Sequence, residues 1–417
     1  MTTKKTTGGF TLGGSVGLLL LLPPLVYYMW ICLRDNGGAL IFPTSGAEWL
    51  GLVQKVPLPT VTAVAIYLGW FLYHVLMQQY APGKWVEGTA LADGSRLKYK
   101  MNGWFTWWFT WALIGGGVAL GWIPPTILVD QFGPLMTVVT IFAFGLSLYL
   151  FVYGRRHPKG EGVSGNFLYD YFMGTSRNPR IGTFDWKLFC EARPGLIGWI
   201  AINLSLAAKQ YQLHGFVSTP MIMVNLFQFW YIADYYFHEE AILTTWDIKH
   251  ENLGWMLCWG DLLWVPFTYT IQAWYLLNHT HSLPIWAIVG ITALNVAGFT
   301  VFRGTNIQKH NFRKDPTRSV WGKKPEYLAT KTGSLLLTSG WWGKARHINY
   351  FGDLMMALAW CLTCGFHNVL PYFYIIYFTS LLVHRERRDN GMCAAKYGSD
   401  WDKYCEMVRW KIVPGVY

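Results

Sequence analysis

The sequence predicts an all-α, polytopic integral membrane protein with about ten transmembrane helices and both termini in the cytoplasm. Three observations lead there. Hydrophobic residues make up 53% of the 417 and charged ones only 14%, too apolar a balance for one soluble chain to hide in ordinary cores. Ten apolar runs approach the roughly 20 residues needed to cross about 30 Å of hydrocarbon. Finally, with ten spans, 31 of the 34 Lys and Arg fall on one side of the membrane, against Arg34, Lys55 and Lys209 on the other. Short loops rich in Lys and Arg stay in the cytoplasm.

The first run, 11 to 33, follows Lys4 and Lys5 and superficially suits a signal peptide. Pro23 and Pro24 lead into more apolar sequence, "LVYYMWICL", without a small-residue cleavage site, so it reads as a span. Further runs lie at 61 to 80, 104 to 123, 133 to 153, 195 to 213, 219 to 237, 252 to 276, 284 to 302, 351 to 366 and 367 to 384. The seventh carries Asp261 and only "GFHNVLP" separates the last two, so nine or eleven spans remain open. Residues 1–218 would hold helices one to five and a long cytoplasmic loop at 154 to 194. Residues 219–417 would hold helices six to ten and a ligand pocket, the two parts forming one integrated membrane domain.

Several function classes drop out. The seven Cys are scattered, four of them inside spans, so no disulfide framework is expected, and Cys361-x-x-Cys364 within an apolar helix reads as packing. "GGGVALG" at 115 to 121 has no strand before it and there is no Walker loop. The 11 His do not form the helical pairs of a di-iron hydroxylase, so no metal is expected. No internal repeat supports a transporter of inverted halves. The net charge of +11 is mostly topology, and no basic helix or aromatic-studded domain stands apart to bind nucleic acid.

Three cytoplasmic clusters remain. In the first, Gly165 to Gly195, Asp170, Arg180, Asp185, Lys187, Glu191 and Arg193 could pair into a folded cap. In the second, Trp230 to Trp255, the acids Asp234, Glu239, Glu240, Asp247 and Glu251 with His238 would face a polar cavity, because ionisable groups at a span edge are costly. The third joins 303 to 350 with the tail, where Lys and Arg stand among Trp and Tyr. Cations for phosphates and planar rings for stacking describe a nucleotide pocket, and surplus cations suit an extra phosphate. Attraction to anionic lipid would need only the cations.

"GNFLYDYFMGTSRNPR", "LLTSGWWGKARHINYFGD" and "LLVHRERRDNGMCAAKYGSDWDKY" resemble blocks shared by the sterol reductases that use NADPH to reduce a ring or side-chain double bond. The resemblance spans roughly residues 60 to 417. "FDWKLFCEARPGLIGW", "FRKDP" and "SGWWG" look closer to the C14-sterol reductases than to the 7-dehydrocholesterol reductases. The first 60 residues lack the Tudor-like extension of the lamin B receptor, implying a stand-alone enzyme.

What the resemblance implies is an NADPH site. Lys309 and Arg313 would meet the adenosine phosphate, and Leu337, Trp342, Asn349 and Tyr350 would line the cofactor. Arg385, Asp389, Cys393, Lys396, Tyr397 and Tyr404 would complete the pocket. The substrate would be a sterol entering from the bilayer of a bacterial cytoplasmic membrane or the endoplasmic reticulum. An isolated C14=C15 alkene has no carbonyl to polarise, so its reduction would begin with a proton from a positioned acid. Tyr231 is the expected donor, with Tyr235, Glu239 and Glu240 as substitutes, and Asp389, ionised among Arg385, Arg387 and Arg388, as its polar partner or a cofactor-positioning group. Reduction at C7 or C24 stays open, as does a membrane methyltransferase acting on prenylated cysteine, against which the Lys309 and Arg313 pair argues.

Overall fold

The computed structural model describes residues 10–91, 93–157 and 163–417. Helices dominate, and among the described residues four are long and apolar enough to cross a membrane: Leu12–Asp35, Val61–Tyr80, Phe132–Arg156 and Ile285–Lys314. Only 22% of the most apolar window of Val61–Tyr80 is buried within the protein. A helix with that much apolar surface turned outward finds its solvent in lipid. The chain is an integral membrane protein.

The polypeptide divides into two compact units, Met1–His281 and Ser282–Tyr417. That division places the Thr219–Phe237 helix, grouped above with the second half, in the first unit.

Within the first unit, the expected runs at 104 to 123 and 195 to 213 form the helices Gly103–Ala119 and Pro194–His214. Leu12–Asp35 continues through Pro23 and Pro24. The run at 252 to 276 is different. It breaks into Trp255–Trp259, a π-helical turn at Gly260–Trp264, Val265–Thr268 and Ile271–Asn278. Trp107, Trp199, Trp255 and Trp259 are among the largest fully buried side chains here. The all-α expectation needs one amendment: the described residues include three small antiparallel hairpins. The largest pairs Lys84–Ala90 with Arg96–Met101 through a turn containing Asp93-Gly94, a dipeptide suited to the left-handed backbone that tight turns require.

The second unit is organised on Ile285–Lys314, whose 30 residues extend about 45 Å. That is enough to cross the apolar layer and carry about ten more residues beyond it. Its neighbour, Ile348–Leu362, crosses it at touching distance. A Cβ added to Gly298 would sit 2.8 Å from the Gly352 carbonyl oxygen, and one added to Gly352 would sit 2.6 Å from the Phe302 nitrogen. Small residues permit such close crossings. The Trp360 indole N–H donates to Asn295 Oδ1 (3.1 Å) across the same pair. The last apolar run continues without a break into the charged tail as the single helix Phe373–Tyr397.

Candidate functional site

On Ile285–Lys314, Lys309 and Arg313 are four residues apart and therefore share a face. The Lys309 ammonium lies 4.0 Å from the centre of the Trp342 ring, in cation–π range. Trp342 is itself fixed: its indole N–H donates to the Thr305 carbonyl (3.0 Å), and it packs with Phe312 and Leu337. The Leu337 carbonyl accepts the Tyr404 hydroxyl (3.3 Å). Tyr404 packs with Trp401 and Val408, and Cys393 and Tyr397 pack against that cluster. Arg313 is exposed.

On Phe373–Tyr397, positions 385, 389, 393 and 397 recur every four residues and line one face. Cys393 Sγ lies 3.9 Å from Asp389 Oδ2, and His347 Nε2 lies 3.4 Å from the same oxygen. The Lys396 ammonium covers the Tyr397 ring at 4.8 Å. Burial raises the Asp389 pKa, with Lys309 opposing it. Burial outweighs the opposing Lys309 charge and shifts this carboxyl upward, the reverse of the direction that Arg385, Arg387 and Arg388 were expected to give it. Burial, then Lys309 and Arg346, pushes His347 down to about 3. Burial, then Asp389, pushes the Cys393 thiol up to about 12.

Asn349 and Tyr350 sit in the first turn of Ile348–Leu362. His347 stacks on Tyr350 with ring centres 4.9 Å apart, and the His347 backbone N–H donates to the Lys411 carbonyl (2.7 Å). Asn349 Oδ1 is buried without a hydrogen-bond partner. A buried orphan acceptor is costly in the protein alone and suits a ligand that brings a hydroxyl or amide donor. His347 was missed by the sequence reading, although it stands two residues before Asn349. The expected cofactor residues thus gather in one unit: cations on one helix, a capped indole, an unsatisfied amide oxygen and a buried carboxyl. That donor set fits a phosphorylated dinucleotide.

The second cluster, in the first unit, is mostly occupied with itself. Glu239 pairs with the fully buried Arg193, whose guanidinium also donates to Asn102 Oδ1 (2.9 Å), and Glu239 Oε2 accepts the Gly103 N–H (2.8 Å). Lys187, also fully buried, donates to the carbonyls of Asp247 (2.9 Å), Ile248 (2.8 Å) and Glu251 (2.8 Å), capping the C-terminal end of the short helix Trp246–His250. Burial lowers the Lys187 pKa to about 8, opposed by Asp185 and Glu191. Arg180 pairs with Asp185 at 2.8 Å, as a folded cap requires, and Glu240 is exposed in a pair with Lys84. Tyr231 is half-buried, and the Tyr235 hydroxyl, four residues on, is buried without a hydrogen-bond partner. Tyr231, Tyr235 and Glu240 belong to the first unit; Asp389 and the expected cofactor residues belong to the second.

Residues 2–417 match the profile of the family described as "Ergosterol biosynthesis ERG4/ERG24 family". The chain is 58% identical over 400 residues to the Delta(14)-sterol reductase of Methylotuvimicrobium alcaliphilum, covering 96% of this chain and 94% of that one. It is 46% identical over 421 residues to the Delta(14)-sterol reductase of Dictyostelium discoideum, covering 97% and 91% respectively. Against Delta(14)-sterol reductase TM7SF2 of Mus musculus the identity is 44% over 413 residues, covering 97% of each.

Proposed function

Because this chain belongs to the ERG4/ERG24 family of sterol reductases, we propose that it reduces the C14=C15 double bond of a sterol intermediate with NADPH. The grouping of Lys309, Trp342, Asn349, Asp389 and Tyr404 in one compact unit supports the cofactor reading. When bound, NADPH supplies the hydride. Lys309 and Arg313 would hold its extra phosphate, Trp342, Leu337 and Tyr404 would wall its rings, and Asn349 and Tyr350 would supply hydrogen bonds. Arg385, Cys393, Lys396 and Tyr397 share the Asp389 helix and would close the pocket.

The chain's own chemical contribution is the proton. Protonation of the isolated alkene leaves a tertiary cation at C14, so the acid must be strong and well positioned. Glu239 is committed to Arg193 and Glu240 is paired at the surface, which leaves Tyr231 as donor and Tyr235 as substitute. Asp389, whose pKa is raised by burial, positions the cofactor or carries a proton within its own unit. Ten spans with both termini cytoplasmic are part of the same reading. An impermeant reagent that reached a tag after Tyr417 from outside intact cells would overturn that topology.

The relatives' printed names favour C14 over C7 or C24, and the Lys309–Arg313 pair favours a cofactor with an extra phosphate over an adenosyl sulfonium. In purified membranes, NADPH absorbance should fall only when a Δ14-sterol is present. Equal consumption with a Δ7- or Δ24-sterol would reassign the substrate.

A further inference from the structure

A second built feature of the second unit lies on the other side of the Ile285–Lys314 helix from Lys309 and Arg313, and shares Phe312 with the Trp342 cluster. A solvent-open cavity of about 280 Å³ is lined by Gly304, Ile307, Gln308, Asn311, Arg318, Trp321 and Trp341, among others. At about 100° per residue, Gly304, Ile307 and Asn311 occupy the side of Ile285–Lys314 opposite Lys309 and Arg313. The far wall is the turn Val320 to Lys323, closed by two backbone hydrogen bonds between its ends (2.8 and 3.1 Å). At its tip, Trp321 has φ +51° and Gly322 φ +76°. This is the turn that asks for Asn or Gly at its first central position. Trp321 is the one non-glycine residue with positive φ among the described residues. Strain held at a single position points toward a use for the side chain that occupies it.

The indole that the strain presents is 59% exposed and meets Trp341 edge to face at 5.3 Å. The base is built to close tolerance. Gln308 Oε1 accepts the Trp341 backbone N–H (2.9 Å), and a Cβ on Gly340 would lie 2.4 Å from the Gln308 amide and 2.5 Å from Val320. Arg318 lines the cavity and is exposed, as are Lys323 and Lys324, which follow Trp321 in the chain, with Asp315 turned onto Thr317 (2.9 Å to its N–H). Height along the helix matters too. Ile307, itself 44% exposed, lies five residues, about 7 Å, beyond Phe302, the last apolar residue before Arg303. The polar headgroup layer is about 5 to 7 Å deep on each side of the bilayer.

We propose that this pocket holds the headgroup of an anionic phospholipid, with its phosphate at Arg318 and the two lysines and its glycerol backbone against Trp321 and Ile307. Three cations supply the charge complement, and the exposed aromatic and aliphatic wall is what a free anion would not need. This assignment is independent of the sterol reaction, since it uses no residue of the cofactor face.

The test is native mass spectrometry of the full chain taken from bilayers of phosphatidylcholine alone or with one-fifth phosphatidylglycerol. Wild type should retain one phosphatidylglycerol through delipidation, at least tenfold over phosphatidylcholine. Arg318→Gln/Lys323→Gln/Lys324→Gln should lose that preference. Trp321→Asn, which suits the left-handed turn, should weaken retention severalfold while leaving NADPH affinity unchanged. Retention equal to wild type in both variants, or no preference for phosphatidylglycerol in the wild type, would overturn the assignment. So would displacement of the lipid by millimolar glycerol 3-phosphate, which would mark a free-anion site.

Discussion

Arg193 and Lys309 are cations of two different charged clusters, and they have opposite surroundings. Arg193 is wholly buried against Glu239 and Asn102, and its neighbour Lys187 is spent on three backbone carbonyls. Lys309 lies over the face of Trp342, on a helix side where Arg313 is exposed, in the unit where Asn349 Oδ1 is unsatisfied and burial raises Asp389. The first cation is matched by a carboxylate inside the protein, although Arg193 Nε and the Tyr235 hydroxyl stay unsatisfied there; the second stands over an indole face. Charges that saturate one another build structure, and charges facing orphan acceptors await a ligand.

The largest effect that separates the two should come from Arg193→Ala. It strands Glu239 in a buried site, and breaking such a pair costs about 3–5 kcal/mol, so a thermal melt in detergent should show little folded protein. A variant that melts like wild type would remove the structural reading of this cluster. Tyr231→Phe keeps the ring and deletes only the hydroxyl, and general acid catalysis contributes about 10² to 10⁴ in rate. Turnover should fall by that order with NADPH affinity nearly intact; near-normal turnover would move the donor to Tyr235 or Asp389.

Arg313→Ala tests the open cluster. A charge-assisted bond contributes roughly 1.5 to 3 kcal/mol, so NADPH should weaken by about ten- to a hundredfold and NADH hardly at all in titrations of the two cofactors. Equal losses would place Arg313 away from the phosphate. Glu240→Gln should do least. Its exposed pair with Lys84 is worth under about 1 kcal/mol, and both melting temperature and turnover should stay near wild type; a large loss of turnover would restore Glu240 as an acid.

The same contrast governs what the sequence could reveal. Local periodicity was legible: apolar runs marked the positions of helices, and Lys309 with Arg313, or Arg385 with Asp389 and Cys393, declared a shared face by their spacing. The π-helical break at Gly260–Trp264 was hidden, although Asp261 and Pro266 disturb that run. The Lys84–Ala90 hairpin was missed because the search followed apolar runs, while Asp93-Gly94 marked its turn. Partners distant in sequence were out of reach. Glu239 is 46 residues from Arg193, and nothing local says that this acid is consumed. For Asp389, the three nearby arginines were visible, but the burial that shifts its pKa upward belongs to the tertiary fold.

The central claim is that this chain saturates the C14=C15 bond of a sterol. Mass spectrometry of sterols from cells that lack a C14 reductase, before and after expression of the chain, tests it most directly. The account predicts that the Δ14 intermediate disappears and a product two mass units heavier takes its place, with Tyr231→Phe leaving the intermediate to accumulate. An unchanged pool of Δ14-sterol, in cells where the wild-type chain is folded and binds NADPH, would contradict it.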